Sequence, residues 1–475
     1  MSTPQHSPLP IDPFLWAQTW SETCAAGLNP PQIAAAQRKT RLSRLLQHAR
    51  QASPLYRERC AQQHQPAALQ DFEPIEKAEL MRRFDHWATD REITRDSVGY
   101  FLADPRRLAD AYLGKYLVWT SSGTQGEPGI FVQDAPSLAA YDALDLQRFR
   151  APGPMATNFG VWASPPRFAF VAATGGHFAG VVSIERLRRT ALSWLGPWLA
   201  PTIRTFSVQT PWPELLHELQ EFAPTILITY PSAADAVAQA QAEGLVRLVL
   251  QEVWLGGEQL TNGQRQHLKG VFQCRMRNNY GASEFYSMAS ECTHQKLHLN
   301  DDWVMLEPVD AQLCPVPPGV TSHSVLLTHL ANHAQPLIRY RLSDSVRFVT
   351  TPCACGSRFP VIEVQGRADD TLRLLNRAGR SVALLPLALM TVLEEGAHVT
   401  QFQLLQTGPR LLELRLERGV PNPAAALAAL KATLADYLRQ HGLTDVLIKT
   451  NRQPPVRHPR SGKISRVVIT EQPAH

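Results

Sequence analysis

The chain has 475 residues, 44% of them hydrophobic, and a formal net charge of +5. At roughly one domain per ~150 residues this suggests two or three domains, or one large domain and a small one. The charge is too small, and not clustered enough, for a nucleic-acid footprint. The opening MSTPQHSPLPIDPFLW has no basic stretch before an apolar run and does not read as a secretory signal. No run of about 18 apolar residues is present, so no transmembrane helix and no membrane partner are expected. The seven cysteines are dispersed and odd in number, which points to reduced thiols in a cytoplasm. Of the 47 basic residues only eight are lysine, so a lysine inside a motif carries weight.

Residues 1–110 read as mainly helical. From Pro30 to Arg59 the positions Ile33, Leu42, Leu45, Leu46 and Ala49 fall on one helical face. From Leu117 onward short apolar runs end in small or polar residues: LVWT before SSGT, FAFVAA before TGGH, TILITY before PS, LVLQEVWL before GGE, and RMRNNY before GASE. Such runs indicate an α/β domain with a largely parallel sheet. Ligands of such sheets gather beyond the carboxyl ends of the strands, so the five turns are candidates for one site. The tail reads as a small α+β unit. QFQLLQ and LLELRLE flank TGPR as a hairpin, and a helix follows with Asn422 as N-cap, Pro423 at its first position and Gly442 past its end. DVLIKT closes the pattern as a strand. The boundary falls in the charged stretch from Arg367 to Asp370, giving a domain over 1–366, a hinge at 367–370 and a mobile unit over 371–475.

Thr120-Ser121-Ser122-Gly123-Thr124 follows YLVW. Glycines let backbone N–H groups converge on an anion, and hydroxyls add donors. The loop is no Walker loop, because no Gly-Lys-Ser/Thr follows. It resembles the phosphate loop of the adenylate-forming superfamily of acyl- and aryl-CoA ligases, luciferases and peptide-synthetase adenylation domains. Further motifs follow in that family's order: Asn279-Tyr280-Gly281-Ala282-Ser283-Glu284, Arg339-Tyr340-Arg341-Leu342-Ser343-Asp344, Gly366-Arg367-Ala368-Asp369-Asp370, and Pro459-Arg460-Ser461-Gly462-Lys463. Gly256-Gly257-Glu258, Tyr230-Pro231-Ser232 and the cysteine pair before Gly356 resemble the phenylacetate-CoA ligase and F390-synthetase-like branch most.

The resemblance implies attack of a carboxylate on the α-phosphate of ATP with departure of pyrophosphate. It assigns neutralisation of the developing charge to Lys463, a mobile point charge. Thr120, Ser121, Ser122, Gly123 and Thr124 would hold the β- and γ-phosphates. Glu284 would bind Mg²⁺, a hard cation that takes oxygen ligands. Tyr280, within Asn279–Ser283 (Gly281 and Ala282 included), would stack on adenine. Asp344 would take the ribose hydroxyls with two acceptor oxygens. Arg367 would contact the ribose or phosphate, Gly257 and Glu258 would border the adenine and acyl pockets, and Asp369 would be the hinge residue. Thr174, Gly175, Gly176 and His177 resemble the glycine-rich element of the acid pocket. Phe159, Trp162 and Phe168 are candidate aromatic walls, so the expected acid is aryl or a medium-sized apolar one.

Cys292, His298, Cys353 and Cys355 offer three thiols and an imidazole, the ligand set of a closed structural Zn²⁺ site, with His294 as rival for the histidine. Members of the same branch carry a similar arrangement. Two departures stand against the resemblance. Glu127 replaces the usual loop lysine and Gln125 a threonine, which removes positive charge near the phosphates. The segment Leu372–Pro386 is longer than the family's glycine turn, which bears on the acyl acceptor. Three functions follow. The leading one uses ATP, Mg²⁺ and CoA to make a thioester. The second passes the acyl group to a carrier-protein thiol or an amine. The third is a non-catalytic nucleotide-binding regulator. A homodimer is the assembly considered.

Overall fold

The fold is taken from a computed structural model. It describes residues 9, 11–61, 68–121, 128–149, 165–190, 202–258, 260, 262–365, 372–384, 386–399, 402–416, 420, 422–455 and 467–469. The N-terminal third is helical as expected, with long helices Pro13–Leu28 and Pro31–Ala52. Asp12 caps the first through its side chain, which accepts from the Phe14 and Leu15 N–H groups. Leu45, Leu46 and Ala49 face the core, but Ile33 lies on the exposed side near the helix start. The apolar stripe of this helix therefore begins later than the spacing suggested.

Strands β1 (Leu117–Thr120) and β2 (Ile130–Gln133) form an antiparallel pair. The main sheet has nine strands. Its parallel part comprises β3 (Arg167–Ala172), β4 (Thr202–Ser207), β5 (Ile226–Thr229), β6 (Glu252–Gly256) and β7 (Arg275–Ala282). A turn joins β7 to antiparallel β8 (Phe285–Glu291), followed by β9 (Leu297–Leu299). Beyond it β10 (Val304–Val309), β11 (Ser324–His329) and β12 (Tyr340–Leu342) make a three-stranded sheet, and β13 (Ser345–Phe348) and β14 (Val361–Gln365) return to the edge of the large one. Four of the five apolar runs are thus parallel strands of one sheet. The run ending at Thr120 is not: it pairs with β2 and touches the sheet's loops through a bridge to Phe178.

Residues after 371 bury an apolar cluster of their own, from Leu372 to Val467. It holds the hairpin β15 (Leu372–Leu375) and β16 (Ser381–Leu384), helices Pro386–Ala397 and Pro423–Gln440, and a mixed sheet of β17 (Phe402–Gly408), β18 (Leu411–Leu416), β19 (Leu447–Asn451) and β20 (Val467–Ile469). The expected hairpin, helix and strand all form. Asn422 occupies the N-cap position at φ 46°, without a capping bond from its side chain. No helix among the described residues is long and apolar enough to cross a membrane.

Candidate active site and metal cluster

The carboxyl ends of β3, β5, β6 and β7 lie on one edge of the sheet, as parallel pairing requires. The loops 173–178, 230–231, 257–258 and 281–284 therefore share that edge. Two hydrogen bonds bring the phosphate loop to it. The Thr120 N–H donates to the His177 carbonyl at 2.7 Å, and Trp119 Nε1–H donates to the Ser283 carbonyl at 2.7 Å. Reciprocal bonds between Ser121 and Gly129, at 2.8 and 2.7 Å, close the neck of the loop. Its tip, with Ser122, Gly123 and Thr124, lies outside the described residues, as do Arg367, Asp369 and Lys463 and the aromatic candidates Phe159 and Trp162. The third aromatic candidate, Phe168, is buried within β3, its ring 5.5 Å from that of Trp254.

Gly281 and Gly257 are needed for different reasons. A Cβ on Gly281 would lie 1.8 Å from the Tyr286 carbonyl oxygen, so the β7–β8 turn closes only over glycine. Gly257 has φ 79°, which an L side chain rarely adopts, and its face packs on the Tyr230 ring. Asn279 supports the same turn by donating from Nδ2 to the Tyr286 carbonyl at 3.1 Å. Glu258 lies close enough for its charge to help burial raise the Tyr230 pKa.

Two tyrosine–carboxylate bonds tie this turn to β12. Tyr340 donates its hydroxyl to Glu284 Oε1 at 2.7 Å, and Tyr280 donates to Asp344 Oδ2 at 2.9 Å. Arg339 precedes β12 in the left-handed region at φ 49°, held by bonds to Glu307 Oε2 and the Phe72 carbonyl. The carboxylates expected at the metal and at the ribose are thus brought to neighbouring positions. Tyr340 stood in the quoted motif without a role, and its partnership with Glu284 joins residues far apart in sequence.

In the glycine loop, Gly175 faces the C-terminal unit. A Cβ there would fall 2.1 Å from Glu395 Oε1, on helix Pro386–Ala397. A second contact between the two regions is Arg373 Nη2 to Asp235 Oδ2 at 3.0 Å, where Asp235 also meets His267 Nδ1 at 2.7 Å. Thr174 is half-buried. The His177 side chain is buried 6.0 Å from the Phe101 ring, and desolvation lowers its pKa. It faces the N-terminal helices, while its carbonyl serves the phosphate loop.

Cys292, His298, Cys353 and Cys355 converge, and their ligand atoms all lie within 4.8 Å of one another. Cys292 Sγ is 3.8 Å from Cys353 Sγ, and Cys355 Sγ is 3.3 Å from His298 Nε2. His298 Nδ1 meets the Phe359 carbonyl at 2.8 Å. That bond fixes the tautomer that presents Nε2 to the thiols, the usual support for a metal-binding histidine. His294 is not part of the group.

No protein-family model matches the chain. A phenylacetate-coenzyme A ligase of Thermus thermophilus is 26% identical over 280 residues, 53% of this chain. The match spans 61% of that relative's length. A solved structure of 2-hydroxyisobutyryl-CoA ligase, with 2-HIB-AMP and CoA in the thioesterification state, is similar at a TM-score of 0.57 and 20% identity, over 94% of this chain and 91% of that one. The same ligase in the postadenylation state with 2-HIB-AMP gives 0.54 and 19%, over the same shares. The chain therefore has the α/β fold of the adenylate-forming CoA ligases and is similar in sequence to phenylacetate-CoA ligase over the aligned part.

Proposed function

We propose that the chain is an ATP-dependent, AMP-forming ligase that activates a carboxylic acid as its acyl-adenylate and transfers the acyl group to CoA. The observation that carries this reading is the convergence of Glu284, Tyr340, Tyr280 and Asp344 beside the neck of the phosphate loop, with two bonds of 2.7 and 2.9 Å joining them. The similarity to phenylacetate-CoA ligase over 280 residues supports the same reading. Asp344 has two acceptor oxygens for the ribose hydroxyls, and Tyr280 presents its ring beside them. Glu284, oriented by Tyr340, would hold Mg²⁺, which bridges and neutralises phosphate oxygens when bound. Thr120 through Thr124 would take the phosphates, with Gly257 and Glu258 bordering the adenine and acyl pockets, Thr174, Gly175 and Gly176 bordering the acid, and His177 supporting the phosphate loop through its carbonyl. Lys463, carried on a unit over 371–475 that pivots near Asp369, would meet the charge developing at the α-phosphate. Arg367 would reach the ribose.

The quartet of three thiols and one imidazole fits Zn²⁺ in its chemistry and in the support given to His298. The chemistry such an ion supplies is structural: it would pin the 353–356 turn to β9. The acceptor is open to a second reading, a carrier-protein thiol or an amine, because the segment after residue 371 forms a full hairpin, β15–β16.

Acid-dependent exchange of pyrophosphate into ATP tests the first step. Lys463→Ala is expected to lower exchange about 100-fold, the order typical of removing one charge-stabilising group. If no acid in a broad panel of aromatic and aliphatic acids supports exchange, the ligase reading fails. Hydroxylamine and CoA then separate the acceptors, since hydroxamate without thioester favours the second reading.

A further inference from the structure

Two contacts between described residues join the unit after residue 371 to the main sheet, and both lie at one end of that sheet's carboxyl edge. Arg373 meets Asp235 on helix Pro231–Ala242, which follows β5. Glu395 meets Gly175, in the glycine loop after β3, and accepts a hydrogen bond from the side chain of Gln209, after β4. Strands β5, β3 and β4 are the last three of the nine-stranded sheet. The unit thus rests on the glycine-loop end, and the Glu284 turn between β7 and β8 lies further along the same edge.

Both partners of the ion pair are braced. His267, on helix Asn262–Phe272 after β6, places Nδ1 2.7 Å from Asp235 Oδ1. An ionised carboxylate only accepts, so Nδ1 carries the proton. The other oxygen, Oδ2, is thereby turned to Arg373 Nη2 at 3.0 Å. Across the contact, the buried side chain of Gln406 on β17 holds the Arg373 backbone in both directions. Its Oε1 accepts the Arg373 N–H at 3.0 Å, and its Nε2 donates to the Arg373 carbonyl at 2.6 Å. Because β15 and β17 belong to different sheets, this amide takes the place of strand pairing in mounting the hairpin. A chance pair between two loose side chains has no such mounting. The Arg373 side chain is nevertheless 57% exposed, so the pair is weak and opens readily. A contact that is aimed but weak suits a part that moves better than a permanent joint.

We infer that Asp235, oriented by His267, is a positioning residue. By receiving Arg373 it sets how often the C-terminal unit rests on the glycine-loop end, and so how turnover divides between adenylate formation and acyl transfer. The inference rests on the ligase reading. In that reading Lys463 serves the first step, and it belongs to the same unit, so where the unit rests bears unequally on the two steps. A pair that only held the fold together would affect both steps alike.

The test compares Asp235→Asn, Arg373→Gln and the double variant, with CoA and the acid that gives the strongest pyrophosphate exchange in the panel above. Exchange and thioester formation are measured separately. Each single variant is expected to change the ratio of the two rates roughly two- to five-fold in the same direction, the range of a part-exposed ion pair. The double variant should change it no further, because the two residues act through one another. His267→Phe should shift the ratio the same way. Raising salt from about 50 to about 500 mM should move the wild-type ratio toward that of the variants and leave theirs in place. A ratio unchanged in the variants, an equal fall in both rates, or single effects that add in the double variant overturns the inference and leaves the ligase reading standing. Absence of exchange with every acid overturns both.

Discussion

Replacing Asp145 by asparagine should alter the pH dependence of stability in a defined direction. Burial is the largest influence on this carboxyl. The Tyr286 hydroxyl, Arg186 and the Ser287 hydroxyl pull its pKa down and the Asp142 charge pushes it up, and the net result is a rise from 3.8 to about 7. The folded state therefore binds the proton more tightly than the unfolded chain, where an aspartate titrates near ~3.9. Stability from this group is fully present below about pH 4 and is lost as pH rises through about 7, after which the loss is constant. A rise from 3.8 to about 7 corresponds to ~4 kcal/mol across that window, an upper figure for one site. Asparagine has no proton to lose. The melting temperature of Asp145→Asn minus that of the wild type should become more positive between about pH 4 and about pH 8, by a few °C. Differential scanning fluorimetry in matched ionic strength measures it. A difference that stays the same at both ends of the range refutes the argument, whatever its absolute value, because lost packing or a lost hydrogen bond shifts stability equally at every pH.

Protein purified without a histidine tag should carry one zinc per chain by metal analysis, and Cys355→Ser should lose it and melt at a lower temperature; less than one zinc per several chains refutes the assignment of the quartet. Tyr340→Phe removes the 2.7 Å donor to buried Glu284 and should cost about 1–3 kcal/mol, with a several-fold rise in the Mg²⁺ concentration that half-saturates pyrophosphate exchange. An unchanged Mg²⁺ dependence would separate Glu284 from the metal. Gly281→Ala puts a carbon 1.8 Å from the Tyr286 carbonyl, so it should destabilise by about 3 kcal/mol or more and abolish exchange; a melting temperature equal to wild type contradicts the turn geometry.

The parts of this fold that were legible in the sequence share a physical cause. The segments that became β3, β5 and β6 are largely buried within the sheet, whereas β7, with its arginines and asparagines, is mostly half-buried. The first three therefore show as apolar runs, and the small residues after all four mark turns where the backbone must pass close to other chain. The run ending at Thr120 shows the limit of that signal. LVWT is as apolar as its neighbours, yet it pairs antiparallel with Ile130–Gln133. Nothing in the run itself distinguishes a hairpin strand packed on helices from a parallel strand packed between them. The metal quartet was legible by residue type, and its assembly depends on the antiparallel pairing of β14 with β9, which carries Cys353 and Cys355 to His298.

The partnerships that organise the site were not legible, because they are long-range and each member has an ordinary local explanation. Tyr340 follows a strand-like pattern, and Glu284 sits where a turn would accept any polar residue. Only the folding of β12 beside the β7–β8 turn gives them to each other. Asp145 is the stronger case. In AYDALDLQ it reads as one of two aspartates on the wet face of a helix, and the usual cost of burying a carboxyl argues against any other placement. The chain nevertheless draws both inward, gives Asp142 an arginine, and gives Asp145 hydroxyl partners while burial pushes its pKa up to about 7. A leucine or asparagine at 145 would avoid the charge altogether. That cost arises only when the helix, strand β8 and Arg186 are brought together, so no single segment of the sequence announces it.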